Sequence, residues 1–310
     1  MRKGARGEGD RGRRRPAAGW SRASAAIAGV TLLALAGLAI LVATPGTAPA
    51  QDGKLPAGET VIEKAIEAMG GREAHARQSS RRTWARMEIA AMGIKASVVS
   101  TQARPGRVRT VVSSDMIGNM EDGGDGEVFW ENSAMTGPSI KKGPDLARAR
   151  RDADFDGLAG WKTWYAKAET AGADTVGGKP VWKVVLTPKD GPVETWFFEQ
   201  ESGLPVRTTL TLQSKQGEIP VDAALTDYRT VDGLLVAFHT RQSLMGGVQV
   251  IDIYADSVRH GVAIPDGFFD PPADVKALIE KEKAGGSAAP DGKSAAPDET
   301  PAETPAGSSR

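Results

Sequence analysis

Three histidines and no cysteine bound the chemistry open to this chain. Without a thiol there is no cysteine nucleophile, thiolate metal site, disulfide framework or cysteine to acylate. His75, His239 and His260 never fall at metal-ligand spacing. His239 lies in the strand-like run Phe238-His239-Thr240 and reads as a surface or internally paired residue. Asp152 and Asp154 stand two apart before a helix end; such a pair suits acid–base work, capping or solvent contact. Arg150-Arg151 suits a lipid phosphate, an acidic partner or a solvated helix face. The acidic, glycine-rich run Glu121–Glu127 lacks the ligand ladder of a calcium loop and reads as a turn. No Gly-x-Ser-x-Gly, His-Glu-x-x-His or phosphate-binding Gly-Lys-Ser/Thr motif occurs. These residues predict no catalytic site, no metal and no cofactor.

The elements around them divide by composition. Of 310 residues, 40% are apolar and 25% charged, enough for a sizeable core. The first 22 residues carry eight basic side chains against Glu8 and Asp10, and no charge follows until Asp52. An apolar run from Ala23 to Val42, the breaker Pro45-Gly46 and Ala48-Pro49-Ala50 complete the order of a secretory signal cut after Ala50. The run is also long enough for a retained membrane anchor. Arg13-Arg14-Arg15 invites a twin-arginine reading, although Pro-Ala-Ala follows. Eight basic and two acidic residues give the leader +6, so a chain of net charge zero leaves −6 on the remainder. A mildly acidic remainder argues against nucleic acid as partner.

At the other end, no aromatic residue follows Phe269. Val275, Leu278 and Ile279 predict a short helix over 274–283, and the Ala-, Gly-, Ser-, Pro- and Glu-rich stretch 284–310 reads as a disordered tail. Four segments result: a leader 1–50, a linker 51–57, one folded domain 58–272 and a tail 273–310.

The domain opens with helical spacing at Val61, Ile62, Ala65, Ile66 and Met69, stopped by Gly70-Gly71; a second helical turn follows at 72–77. The period then changes to two. Arg86-Met87-Glu88-Ile89, Arg107–Thr110, Trp182–Leu186 and Val206–Gln213 alternate, which predicts strands wet on one side in an antiparallel sheet. Asp190-Gly191, Ser202-Gly203, Asp232-Gly233 and Gly246-Gly247 mark tight turns. About nine to eleven strands are expected, interrupted by a helical insertion over 145–156 with Leu146, Ala149 and Ala153 on one face. Sixteen of 17 aromatics follow the leader. They suit an ordinary core, or the lining of an apolar cavity under a curled sheet.

Several stretches resemble bacterial proteins of the outer-membrane lipoprotein-sorting, LolA-like family. They are Ala68-Met69-Gly70-Gly71-Arg72-Glu73-Ala74, Met135-Thr136-Gly137-Pro138, and Arg151-Asp152-Ala153-Asp154-Phe155 with Trp161-Lys162 and Tyr165. Ser202-Gly203-Leu204-Pro205-Val206-Arg207, Gly217-Glu218-Ile219-Pro220-Val221, Asp227–Gly233 and Ile264-Pro265-Asp266 follow in order. The resemblance implies an α+β fold, mostly antiparallel β: a single curved sheet, or half-open barrel, with helices covering its concave face. It implies acyl chains of a lipid or lipoprotein as ligand, held by a carrier or a sensor. No individual functional residue is carried over: the resemblance implies an outer-membrane receptor lipid-anchored through a cysteine, and this chain has no cysteine and a long polar tail.

Pattern and resemblance together name Trp84, Met87, Ile89, Val108, Trp130, Phe155, Trp161, Trp182 and Val184 as cavity-lining residues, with a movable lid at about 140–165. The expected protein is a monomeric, non-enzymatic envelope component. Its partners are acyl chains and an envelope protein, and the leader, if uncut, touches the membrane. A structural envelope module and a secreted hydrolase remain the alternatives.

Overall fold

The computed structural model describes residues 54–214 and 217–286. The leader and most of the tail, and the readings made of them, lie outside these residues.

Helix α1 (Gly58–Ala68) buries Val61, Ile62, Ala65 and Ile66 along one face. It stops where Gly70 adopts a left-handed φ of 116°, the conformation that favours glycine at a helix end. Helix α2 (Gly71–Arg77) follows. The chain then enters a sheet: β1 (Ser80–Ile89), β2 (Ile94–Ala103), β3 (Arg107–Ser114), β4 (Gly118–Gly124), β5 (Phe129–Ser133) and β6 (Gly137–Ile140). A helical segment with α3 (Gly143–Asp152), a 3-10 turn at Gly157–Gly160 and α4 (Trp161–Trp164) comes next. Seven more strands follow: β7 (Tyr165–Val176), β8 (Lys179–Pro188), β9 (Glu194–Glu199), β10 (Pro205–Ser214), β11 (Gly217–Val231), β12 (Leu234–Leu244) and β13 (Gln249–His260). Helix α5 (Ala273–Gly286) closes the described chain.

The described strands form one 13-stranded sheet, ordered β6-β5-β4-β3-β2-β1-β13-β12-β11-β10-β9-β8-β7. Its paired strands are antiparallel, as the alternation predicts. The sheet is open, with β6 and β7 at its edges. Strands β1 to β6 walk outward to one edge. The segment 141–164 then carries the chain to the far edge, and β7 to β13 walk back until β13 pairs with β1. The count exceeds the expected nine to eleven because pieces such as β5 and β6 are too short for alternation to show.

One reading of a short motif changes. Glu121-Asp122-Gly123-Gly124 is part of strand β4, and the turn begins only at Asp125. The glycines serve the sheet: a Cβ at Gly123 would meet the Trp130 ring at 2.4 Å, and one at Gly124 the Phe129 ring at 2.3 Å. Rings from β5 lie flat on these glycines, one on each face. The turns hold. Asp232 and Gly233 both have positive φ, 52° and 83°, as a two-residue hairpin demands.

The sheet curls. Twelve buried side chains from seven strands meet in one cluster, among them Met87, Ile89, Val98, Val112, Leu210, Ile251 and Ile253. Strands β3 and β10 share it although five strands separate them in the sheet. Elsewhere the helices cover the same face. Helix α1 packs on Val184, Leu186 and Phe198, α2 brings Ala74 to Leu234, Val236 and Phe238, and α3 sets Ala149 and Ala153 against Phe129. On the other side α5 packs on β6 with Val275 wholly buried. Its Asp274 accepts a 2.7 Å bond from Asn132, and its Glu282 pairs with Lys142.

Candidate functional site

Between the helical cover and the concave sheet lies a cavity of about 230 Å³. One wall is apolar and comes from β10 to β12, with Leu210, Leu225, Leu234 and Val236. The cover supplies Phe155, Gly157, Leu158 and Trp164. At the third side stand Arg81, Gln102, Arg148, Arg151, Asp152, Tyr165 and Glu194.

The polar side ties the cover to the sheet. Glu194, inward on β9, accepts from Arg151 Nη2 on α3 at 2.6 Å, Tyr165 Oη at 2.8 Å and Trp196 Nε1 at 3.0 Å. Burial, reinforced by the Glu194 charge, pushes the Tyr165 hydroxyl well above its ordinary range. Arg151 is therefore a buried ion-pair partner and not a solvated helix face. Its neighbour Arg150 is the exposed one. Further along, Arg104 forks onto Asp156 and also donates to the carbonyls of His75 and Gln78. The Arg104 hydrogen bonds hold the Asp156 carboxyl below its usual value. Trp164 Nε1 donates to Asp154 Oδ2 at 2.5 Å. So Asp154 is engaged, whereas Asp152 Oδ2 is buried without a hydrogen-bond partner among the described residues.

Burial raises three carboxyls, one at the end of α3 and two on β4 and β5. Asp152 moves up to about 6 and Glu131 to about 7. Asp122 also rises, against the pull of Lys141, whose Nζ lies 2.5 Å away. A carboxyl near neutrality in a cleft also suits acid–base work. Asp152 lies beside Glu194, but both oxygens of Glu194 are taken by donors on three residues. No metal-ligand cluster occurs among the described residues. The arrangement offers a molecule an apolar body surface and a charged end.

The expected lining residues scatter. Phe155 lines the cavity. Met87 and Ile89 face inward but belong to the packed cluster. Val108 packs beside Phe129 under α3. Trp161, Trp182 and Val184 pack under α1, with Trp161 Nε1 donating to Glu63. Trp84 and Trp130 lie on the opposite face. Trp84 falls out of step with the inward Ala85 and Met87 and sits beneath the Arg259 guanidinium. Trp130 follows the inward Phe129, so the pleat turns it outward. His239 is paired as expected, with Asp252 at 2.9 Å and stacked on Tyr254.

Sequence reasoning missed Arg81, Gln102 and Glu194. The signal was present. Arg81 shares parity with Met87 and Ile89, and Glu194 shares it with Trp196 and Phe198. An ionisable residue on the apolar phase of a strand marks a charge turned inward.

No family model and no curated protein matches this chain. Solved structures do. A DUF1329 family protein from Desulfovibrio piger is 12% identical with a TM-score of 0.48, over 71% of this chain and all of that one. A LolA superfamily protein from Nitrosomonas europaea is 12% identical with a TM-score of 0.46, over 70% of this chain and 99% of that one. A domain named for outer-membrane lipoprotein sorting, from Vibrio parahaemolyticus, is 11% identical with a TM-score of 0.44, over 71% and 99%. The chain resembles LolA-like proteins. The architecture itself rests on the strand pairings above. Among the described residues no helix is long and apolar enough to cross a membrane.

Proposed function

We propose that this chain is an exported, non-enzymatic protein of a bacterial cell envelope. It holds an acyl chain of a lipid or lipoprotein between the concave sheet and the helical cover, as carrier or sensor. The observation that supports this is the cavity itself. It has an aliphatic wall, and a segment that crosses from one sheet edge to the other covers part of it. Each CH₂ moved from water onto such a wall gains about 0.8 kcal/mol, so binding needs no covalent chemistry. The basic, apolar, small-residue order of positions 1–50 supports export, and the cover 141–164 is the segment that would move to admit a ligand. Phe155 is the sequence-derived residue retained in the proposed lining.

The test is native mass spectrometry of the exported protein purified from a bacterial envelope, followed by lipid extraction. The expected result is a co-purifying acylated molecule, lost in a Leu225→Trp variant that fills the cavity and still melts cooperatively. A clean apo mass that takes up no lipid on titration would refute the proposal. It would favour a structural module with a protein partner.

A further inference from the structure

The apolar wall of the cavity meets a partly buried cation. Arg81 lies on the same phase of β1 as Ala85 and Met87, so its side chain points to the concave face. Burial draws its pKa down. It keeps part of its surface and lines the cavity. Its hydrogen-bond partner is the side-chain oxygen of Gln102, a neutral group that in turn donates to the Asp152 carbonyl at 3.2 Å. The Phe155 ring of the cover lies 5.8 Å from its guanidinium carbon. Among the described residues no carboxylate forms an ion pair with Arg81. Of the acids that line the cavity with it, Asp156 pairs with Arg104, Glu194 pairs with Arg151 and Asp154 accepts from Trp164, while Asp152, whose Oδ2 has no hydrogen-bond partner among the described residues, forms no ion pair with Arg81. Burial, together with the Arg81 charge, holds His75 and His260 toward their neutral forms.

A partly desolvated cation with no ion-pair partner is costly, and an anion is the partner that would offset that cost. A guanidinium fork matches the oxygens of a carboxylate or phosphate. At about 230 Å³ the cavity is smaller than most sites for drug-sized ligands, so it suits one chain. Resting on the acyl-binding reading above, we infer that the cavity takes a single-chain amphiphile with an anionic oxyanion head. The head pairs with Arg81, and the chain lies along Leu210, Leu225, Leu234 and Val236.

The test compares dodecanoate, dodecyl phosphate and methyl dodecanoate by calorimetric titration into the full protein and its Arg81→Met variant. The expected result is an advantage of about tenfold or more for at least one anionic head over the ester, the size of a charged hydrogen bond. That advantage should vanish in Arg81→Met while ester affinity holds. The ratio of the two anions distinguishes a fatty-acid source from a phosphorylated one. Equal binding of all three, or a preference that survives in Arg81→Met, would overturn the head-group assignment and leave acyl binding standing. Binding of none would overturn both. If Arg81→Met fails to give a cooperative melt, Arg81→Lys keeps the charge and removes the fork. Its preference should fall below that of the unaltered protein, and an unchanged preference would count against the inference.

Discussion

The two ends of the concave face are built from the same strands and differ in what those strands turn inward. At one end Met87 and Ile89 of β1, Ile94 and Val98 of β2, Leu210 of β10 and Ile251 of β13 close on one another. Toward the other end the same phase carries Arg81 on β1, Gln102 on β2 and Thr208 on β10. Leu210 belongs to both, packed on one side and lining the cavity on the other. Where the curled sheet meets itself, side chains from facing strands satisfy each other. Where helices must cover it, space and buried charge remain. The packed end supplies stability, and the covered end holds what a ligand can use.

The sharpest way to break this contrast is to remove the hub of the covered end. Glu194→Ala leaves Arg151 and the Tyr165 hydroxyl buried without their acceptor, and is expected to cost about 3–5 kcal/mol, read by denaturant unfolding. Protection of the α3 amides from hydrogen exchange should fall more than that of β1 and β13. Equal loss everywhere would mean that cover and sheet unfold as one unit.

A smaller effect compares aliphatic truncations. Ile251→Ala in the packed cluster is expected to cost about 3 kcal/mol, as buried truncations do. Leu225→Ala, which borders existing space, should cost about half of that. Similar losses would mean that the cavity wall is packed as tightly as the other end.

The raised carboxyls give a pH signature. Glu131 titrates near 7 when folded, above its ordinary value, because burial opposes its charge. Its folded form therefore binds the proton more tightly than its unfolded form. The stability it contributes is fully present below its ordinary pKa and is lost as pH rises through about 7. Asp152 adds the same sign, ending near 6. Glu131→Gln should flatten the decline between pH 5 and 8, raising stability at the upper end by on the order of 2 kcal/mol. A steeper decline in the variant would show that Lys141 outweighs burial.

The smallest change should come from the exposed cover. Lys162 and Glu59 form a 3.0 Å surface pair. Lys162→Ala should shift stability by less than about 1 kcal/mol, measured as a melting temperature in low and high salt. A larger, salt-insensitive loss would make this pair part of the closure.

Alternation and turn chemistry by themselves determined the antiparallel sheet, the α1 face of Val61, Ile62, Ala65 and Ile66, and the α3 face of Ala149 and Ala153. These features repeat every two residues or every three to four, so one stretch of chain carries the whole signal. The pairing of β1 with β13 joins residues about 170 apart, and only the folded chain decided it. The same holds for the inward or outward side of each tryptophan. Trp84 and Trp130 have the composition of cavity residues, but a pleat assigns faces by register, and register depends on neighbours far away in sequence. Arg81 and Glu194 show the converse. Their phase was written locally, while the lack of an ion pair at Arg81 among the described residues and the three donors around Glu194 exist only once distant strands and the cover meet.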